Sequence, residues 1–135
     1  MSYDEIIGRL FIGSADAVFS IIQFSLIVNC TKDISFPKYE TECIRVSVDD
    51  SADNAYEFLE CLKNTNVLER IHKVLTNNQR VLVHGYINRS CIVMACYLIK
   101  YHCMSDKDAL IYIKNKHNVA FYGDNNHIVT LFIKN

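Results

Sequence analysis

The sequence predicts an α/β domain with a central, mostly parallel sheet flanked by helices. Short apolar runs that are typical of buried strands alternate with longer segments whose apolar residues recur at helical spacing. The chain has 135 residues, of which 50% are hydrophobic and 21% are charged, as in an ordinary globular protein with one core. No linker, internal repeat or low-complexity segment interrupts the chain, so we expect a single domain over residues 1–135.

The first half of the chain alternates between strand signals and helix signals. The apolar run at residues 26–30 suits a buried central strand, and the single proline, Pro37, falls in the loop that follows. The predicted elements are, in order, a strand over residues 10–12, a helix over 15–24, a strand over 26–30, a loop over 31–39, a strand over 43–48 and an acidic turn over 49–53. The acidic turn is also able to cap the helix that follows it.

The second half is mostly helical around one strand. Residues 64–66, Asn-Thr-Asn, interrupt the first helical region, so this region is either one helix or two. The run at residues 81–83 is the strand that we expect to be most buried, and Ser105 begins a segment that resembles a capping box. The predicted elements are a helical region over 54–76, a strand over 81–83, and helices over 90–101, 105–116 and 125–133.

Charge and composition argue against two classes of partner. The net charge of -1 gives no electrostatic reason to expect binding to nucleic acid or to a membrane surface. No apolar run approaches the roughly 20 residues that a bilayer span needs. The N-terminus lacks the regions of a signal peptide, and Ser2 occupies the position where myristoylation requires glycine. We therefore expect a protein that binds neither nucleic acid nor membrane.

The six cysteines contain no C-x-x-C pair, which fits a reducing compartment such as the cytoplasm. Cys30 and Cys96 lie in apolar stretches, where a cysteine is usually a small buried side chain. Disulfides and metal ligation are the alternatives to that interpretation. His102 and Cys103 are adjacent, which is poor geometry for a zinc site. We therefore predict neither a metal nor another cofactor.

Residues 84–90, His-Gly-Tyr-Ile-Asn-Arg-Ser, lie between a strand signal and a helix signal. This segment resembles the signature H-C-x-x-G-x-x-R-S of the cysteine-dependent protein phosphatases, in their dual-specificity branch. Gly85 follows His84 where the signature has cysteine, and the spacing from His84 to Arg89 is two residues shorter than in the signature. The resemblance therefore implies a phosphatase fold that no longer performs phosphatase chemistry.

Further segments extend this resemblance over the whole chain, and their order and spacing are more specific than any one of them. The Asn88-Arg89-Ser90 form and the Asp49-Asp50 pair most closely resemble the poxvirus members of the family. Abundant isoleucine, asparagine and lysine are typical of an AT-rich coding sequence, such as that of a large DNA virus. The segments that are similar to the family are residues 6–14, 26–31, 46–51, 88–90 and 95–98.

The chemistry of the family explains why the two departures matter. A thiolate at a helix N-terminus attacks phosphorus, surrounded by backbone N–H groups, and an arginine grips two phosphate oxygens. Counted back from Arg89, the position of the nucleophile falls on Val83; counted forward from His84, it falls on Gly85. None of the six cysteines is followed by an arginine six positions later. The sequence therefore offers no nucleophile at the required spacing.

The resemblance assigns family roles to several positions, each with a structural alternative. Asp50 aligns with the general acid, or serves as a turn or capping carboxylate. Arg89 aligns with the phosphate-gripping arginine, or pairs with a carboxylate such as Asp50. Ser90 aligns with the hydroxyl that assists departure of the thiolate, or caps the next helix. His84 aligns with the histidine before the nucleophile, or is structural. If phosphate binding is retained, we expect Arg89, Asn88 and Ser90 to provide it.

Three functional hypotheses follow. The first is a non-catalytic pseudophosphatase, of viral origin, that acts in the host cytoplasm by binding a host or viral protein. The second is a weak protein or RNA phosphatase without a cysteine nucleophile, in which Asp50 or His84 would activate water. The third is a reader that binds phosphate through Arg89 and loop amides without turnover. The sequence identifies neither the protein partner nor the oligomeric state.

Overall fold

The computed structural model describes residues 3–46, 55–117 and 126–134, apart from the side chains at 87–88 and 126–127. A short 3-10 helix, Ala15–Phe19, follows the second strand. The strands are β1 (Tyr3–Ile7), β2 (Leu10–Gly13), β3 (Leu26–Cys30), β4 (Glu42–Arg45) and β5 (Val81–Gly85). The helices are α1 (Ala55–Thr65), α2 (Val67–Thr76), α3 (Ile87–His102), α4 (Asp106–Lys116) and α5 (Asn126–Lys134).

The five strands form one sheet in the order β1-β2-β5-β3-β4. β1 is antiparallel to β2, and the other neighbouring strands are parallel, which confirms the predicted α/β domain with a mostly parallel sheet. β5 lies at the centre, and its residues 81–83 are completely buried. Its apolar run has neighbours on both edges and both faces, as continuous apolar strands of parallel sheets do.

The two faces of the sheet are covered very differently. Residues from all five α-helices join Val28 and Val83 in the larger of two apolar clusters. Because side chains alternate along a strand, Ile27 and Leu82 point to the opposite face. There they form a smaller cluster with Phe11, Phe24 and two residues of the 3-10 helix. Within the described residues, helices α1 to α5 therefore cover one face, while the 3-10 helix and the adjoining loops cover the other.

The predicted helix over residues 15–24 is wrong, because only the short 3-10 helix forms there. The Ser14 hydroxyl donates to the Asp16 carboxylate and makes no cap with a backbone N–H. At the other end, the Ser20 hydroxyl donates to the Ile22 carbonyl at 3.3 Å. Local bonds between side chains and backbone compete with helix formation in this way.

Most other elements agree with the sequence expectations. β3 has the predicted bounds. β4 begins one residue before the predicted strand and ends at Arg45, so that Val46 lies beyond it; residues 47–48 lie outside the described part of the chain. The interrupted helical region is two helices, divided at Asn66, whose φ is 53°. Ser105 caps α4 by accepting from the Asp108 N–H at 3.1 Å. The acidic turn at 49–53 lies outside the described residues.

Two elements differ at their beginnings. The structure adds the edge strand β1, which the apolar pattern did not predict. The segment that resembles the family, residues 6–14, overlaps only its last two residues. α3 begins at Ile87, three residues before the predicted start, so that Arg89 and Ser90 belong to its first turn. This shift shortens the connection that precedes the helix.

All six cysteines are free thiols. Cys30 and Cys96 are completely buried, which confirms the expectation of small core side chains. Burial raises the pKa of both thiols far above its usual range. Among the described residues, no helix is both long and apolar enough to cross a membrane.

Candidate functional site at the β5–α3 junction

The connection between β5 and α3 is a single residue. β5 ends at Gly85, Tyr86 is the N-cap, and α3 begins at Ile87. The Tyr86 carbonyl accepts from the N–H groups of Arg89 at 3.0 Å and Ser90 at 2.9 Å. Both amides are thus used inside the first helical turn. A phosphate cradle needs several backbone N–H groups that converge on one anion, and so short a connection leaves little backbone to supply them.

Gly85 fits closely against the neighbouring strand. It is paired in register with Cys30 of β3 and has a φ of +129°, which non-glycine residues rarely adopt. A Cβ atom at this position would lie 2.8 Å from both the backbone N and the backbone C of Cys30. Since backbone atoms cannot rotate away as a side chain can, any residue other than glycine would require β3 or β5 to move.

Arg89 points into the interior of the protein. Its side chain is completely buried, and the guanidinium carbon lies 5.4 Å from the ring centroid of Phe58 in α1. A cation over an aromatic face is a favourable arrangement for a buried arginine. The carboxylate partner that the sequence suggests, Asp50, lies outside the described residues. The arginine aligned with phosphate recognition is therefore packed beneath the junction.

Cys30 is the thiol that the fold brings to this junction, and the spacing rule did not identify it. Burial, reinforced by the neighbouring thiols of Cys61 and Cys91, raises the pKa of Cys30, while the guanidinium of Arg89 acts in the opposite direction. The net direction is upward, so the thiol stays protonated at neutral pH. A thiol of this kind is a poor nucleophile, because the thiolate is the reactive form.

His84 lies on the other face of the sheet from Gly85, since adjacent residues of a strand point to opposite faces. The imidazole is buried, and neither of its nitrogens has a hydrogen-bond partner within the described part of the chain. Burial and, to a smaller extent, the nearby Arg45 guanidinium lower the pKa of His84 to about 4. The side chain is therefore neutral at physiological pH.

A polar network that the sequence analysis did not predict lies beside His84. Asn29 and Arg45 occupy neighbouring strands in register with His84 and share its face. The Asn29 amide nitrogen donates to the Ile34 carbonyl at 2.8 Å, and its oxygen accepts from the Thr31 N–H at 3.0 Å and hydroxyl at 2.7 Å. The one available signal was a polar residue inside the otherwise apolar run of β3.

Arg45 completes this network by binding the same loop. It donates to the carbonyls of Thr31 and Ile34, each at 2.8 Å, and its guanidinium carbon lies 4.6 Å from the ring centroid of Phe36. These contacts fix the connection between β3 and β4. The guanidinium of Arg45 therefore binds the β3–β4 loop.

The predicted site residues are therefore not assembled around one cleft within the described structure. Arg89 and Gly85 lie at the junction on the face that the helices cover, whereas His84 lies on the opposite face. The Ser90 hydroxyl donates to the Tyr86 carbonyl at 3.2 Å. The side chains of Asp50 and Asn88 are not among those that the structure describes. Among the described residues, no three histidine, cysteine or carboxylate side chains converge to form a metal site.

The fold and the sequence both match known proteins. The chain resembles human DUSP28 with a TM-score of 0.87 and 20% identity, covering 99% of this chain and 94% of that one. It resembles a mouse putative dual specificity phosphatase, solved with zinc tungstate, with a TM-score of 0.84 and 20% identity, covering 98% and 87%.

A third similar structure is the human tyrosine phosphatase-like serine/threonine/tyrosine-interacting protein, with a TM-score of 0.80 and 17% identity, covering 98% and 95%. No curated protein sequence matches the chain. Residues 10–133 match the family described as dual specificity phosphatase, catalytic domain. With the five-stranded mixed sheet and its helices, this match over most of the sequence establishes that the chain belongs to the dual specificity phosphatase family.

Proposed function

We propose that this dual specificity phosphatase domain is non-catalytic and acts by binding a protein partner. The observation that carries the proposal is the close fit of Gly85 against the Cys30 backbone. This position follows His84, where the family signature has its cysteine. Because a side chain does not fit there without strand movement, the packing of the sheet supports the absence of a nucleophile that the sequence indicates.

Neither the thiol beside Gly85 nor the exposed thiol at the end of α3 offers a substitute for the missing nucleophile. Cys30 is the thiol adjacent to Gly85 and within electrostatic reach of Arg89, but it is buried and its pKa is raised. Covalent catalysis needs an accessible thiolate with a depressed pKa, which is the opposite condition. Cys103 is exposed but lies at the far end of α3 from the junction.

Arg89 and His84 also fit structural roles better than catalytic ones. The guanidinium is buried against Phe58, which contributes to the core between sheet and helices. The imidazole is buried on the opposite face, with a lowered pKa. Neither arrangement supports the alternative of a phosphatase that activates water through His84, because a general base must reach its substrate.

The fold is compatible with a binding role. One of the structures that it resembles is named a tyrosine phosphatase-like interacting protein. At 17% identity, the likeness shows a shared fold and nothing more. The resemblance to poxvirus members and the AT-rich type of composition support a viral origin. Together with the six free cysteines, these features support action in the host cytoplasm on a host or viral protein.

The test of this proposal is turnover of an aryl phosphate such as p-nitrophenyl phosphate. We expect the wild type to stay at the level of the buffer blank, because no thiolate is positioned to attack. A variant with residues 84–90 replaced by a full-length H-C-x-x-G-x-x-R-S loop is the positive control. Wild-type turnover well above the blank that disappears in Arg89→Ala, and persists in Arg80→Ala, would contradict the proposal.

A phosphate reader is the second candidate, and one observation favours it: Arg89 lies in the first turn of a 16-residue helix. Helix N-termini attract anions. If Arg89 is structural instead, Arg89→Ala should lower stability by about 1–3 kcal/mol, and millimolar phosphate should leave the wild-type Tm unchanged. Thermal unfolding of both proteins, with and without phosphate, separates the two roles. A phosphate-dependent rise in the wild type that Arg89→Ala abolishes would establish the reader.

A further inference from the structure

We draw no further inference here: the strongest candidate, the groove of about 590 Å³ between α1, α2, α3 and α5, is lined by apolar side chains and by charges of both signs, and nothing in the structure shows what covers it.

Discussion

The ends of β3 and β5 lie side by side in the sheet, yet the chain leaves them in opposite ways. After β5, one residue leads directly into α3, and the connection is defined by the close approach of Gly85 to Cys30. After β3, a long loop leads to β4, and side-chain hydrogen bonds from Asn29 and Arg45 hold it. The two strands end side by side, but close packing stabilises the connection after β5 and hydrogen bonds stabilise the connection after β3.

This difference indicates where the polar groups of the domain have been used. A ligand-binding loop after β5 would need polar groups directed at a ligand. Here the side-chain bonds of Asn29 and Arg45 instead organise backbone carbonyls and amides of the β3–β4 loop, and close packing organises the β5–α3 junction. We therefore expect the junction to be sensitive to added volume and the loop to be sensitive to lost hydrogen bonds.

The largest expected effect is that of Gly85→Cys, which tests whether packing defines the junction. The new Cβ would lie within 3 Å of the Cys30 backbone, at a φ unfavourable to cysteine. We expect a loss of about 3–4 kcal/mol in the free energy of unfolding and no aryl phosphatase activity. Gly8→Cys is the control, because a Cβ at Gly8 has no atom within 4 Å. Chemical denaturation that ranks the two variants equally would contradict the account of the junction.

A smaller effect is expected for Asn29→Leu, which tests whether hydrogen bonds define the loop. The change leaves the buried Thr31 N–H and hydroxyl without their acceptor, and the Ile34 carbonyl without one of its donors. We expect destabilisation of about 2–3 kcal/mol. Asn64→Leu, at an exposed position of α1, should change the free energy of unfolding by less than about 0.5 kcal/mol. Similar effects of both substitutions in urea unfolding would show that the loop does not depend on Asn29.

His84 lies next to both regions, since it precedes Gly85 in β5 and is in register with Asn29 of β3. Its expected effect on stability is smaller and depends on pH. Its folded-state pKa is about 4, below the unfolded value near 6.5, so the unfolded chain binds a proton that the folded chain excludes. Stability should therefore be unaffected above pH 6.5 and should fall as pH decreases toward 4. From pH 7 to pH 5 the loss attributable to His84 is at most about 2 kcal/mol.

The smallest effect is expected for His84→Leu at neutral pH. It removes two buried nitrogens that have no described partner, so the change in stability should be within about 1 kcal/mol of zero. The same variant should lose the His84 part of the acid sensitivity, while a variant at the exposed His102 should retain it. Denaturation curves at pH 7 and pH 5 for these proteins make the measurement. Strong destabilisation by His84→Leu at pH 7 would reveal a hydrogen-bonded role for the imidazole.

The fold was largely predictable, because its strands carry local signals. β3 was predicted at its observed bounds, since an apolar run at residues 26–30 is bounded by turn residues. The helix over residues 15–24 failed because Ser14 and Ser20 make local bonds that periodicity does not register. Sequence patterns show which face of a helix is apolar. They do not show whether a serine hydroxyl forms a local hydrogen bond that competes with those of the helix.

The candidate site was less predictable, since its decisive contacts join distant parts of the chain. The replacement of cysteine by Gly85 could be read directly from the sequence, but the clash with Cys30 depends on the register of β3 and β5. The bonds of Asn29 likewise required the path of the β3–β4 loop. The roles assigned to Asp50 and Asn88 remain predictions, because those side chains lie outside the described residues.

The contact between Gly85 and the Cys30 backbone also bears on how the chain can evolve. A single nucleotide change that introduced a thiol after His84 would first separate two central strands, so the immediate product would fold less well and still lack a full loop. Recovery of an active loop would require an insertion and a rearranged strand end at the same time. Under the proposed non-catalytic function, a return to catalysis would therefore require several simultaneous changes, and selection would act mainly on the surfaces that bind a partner.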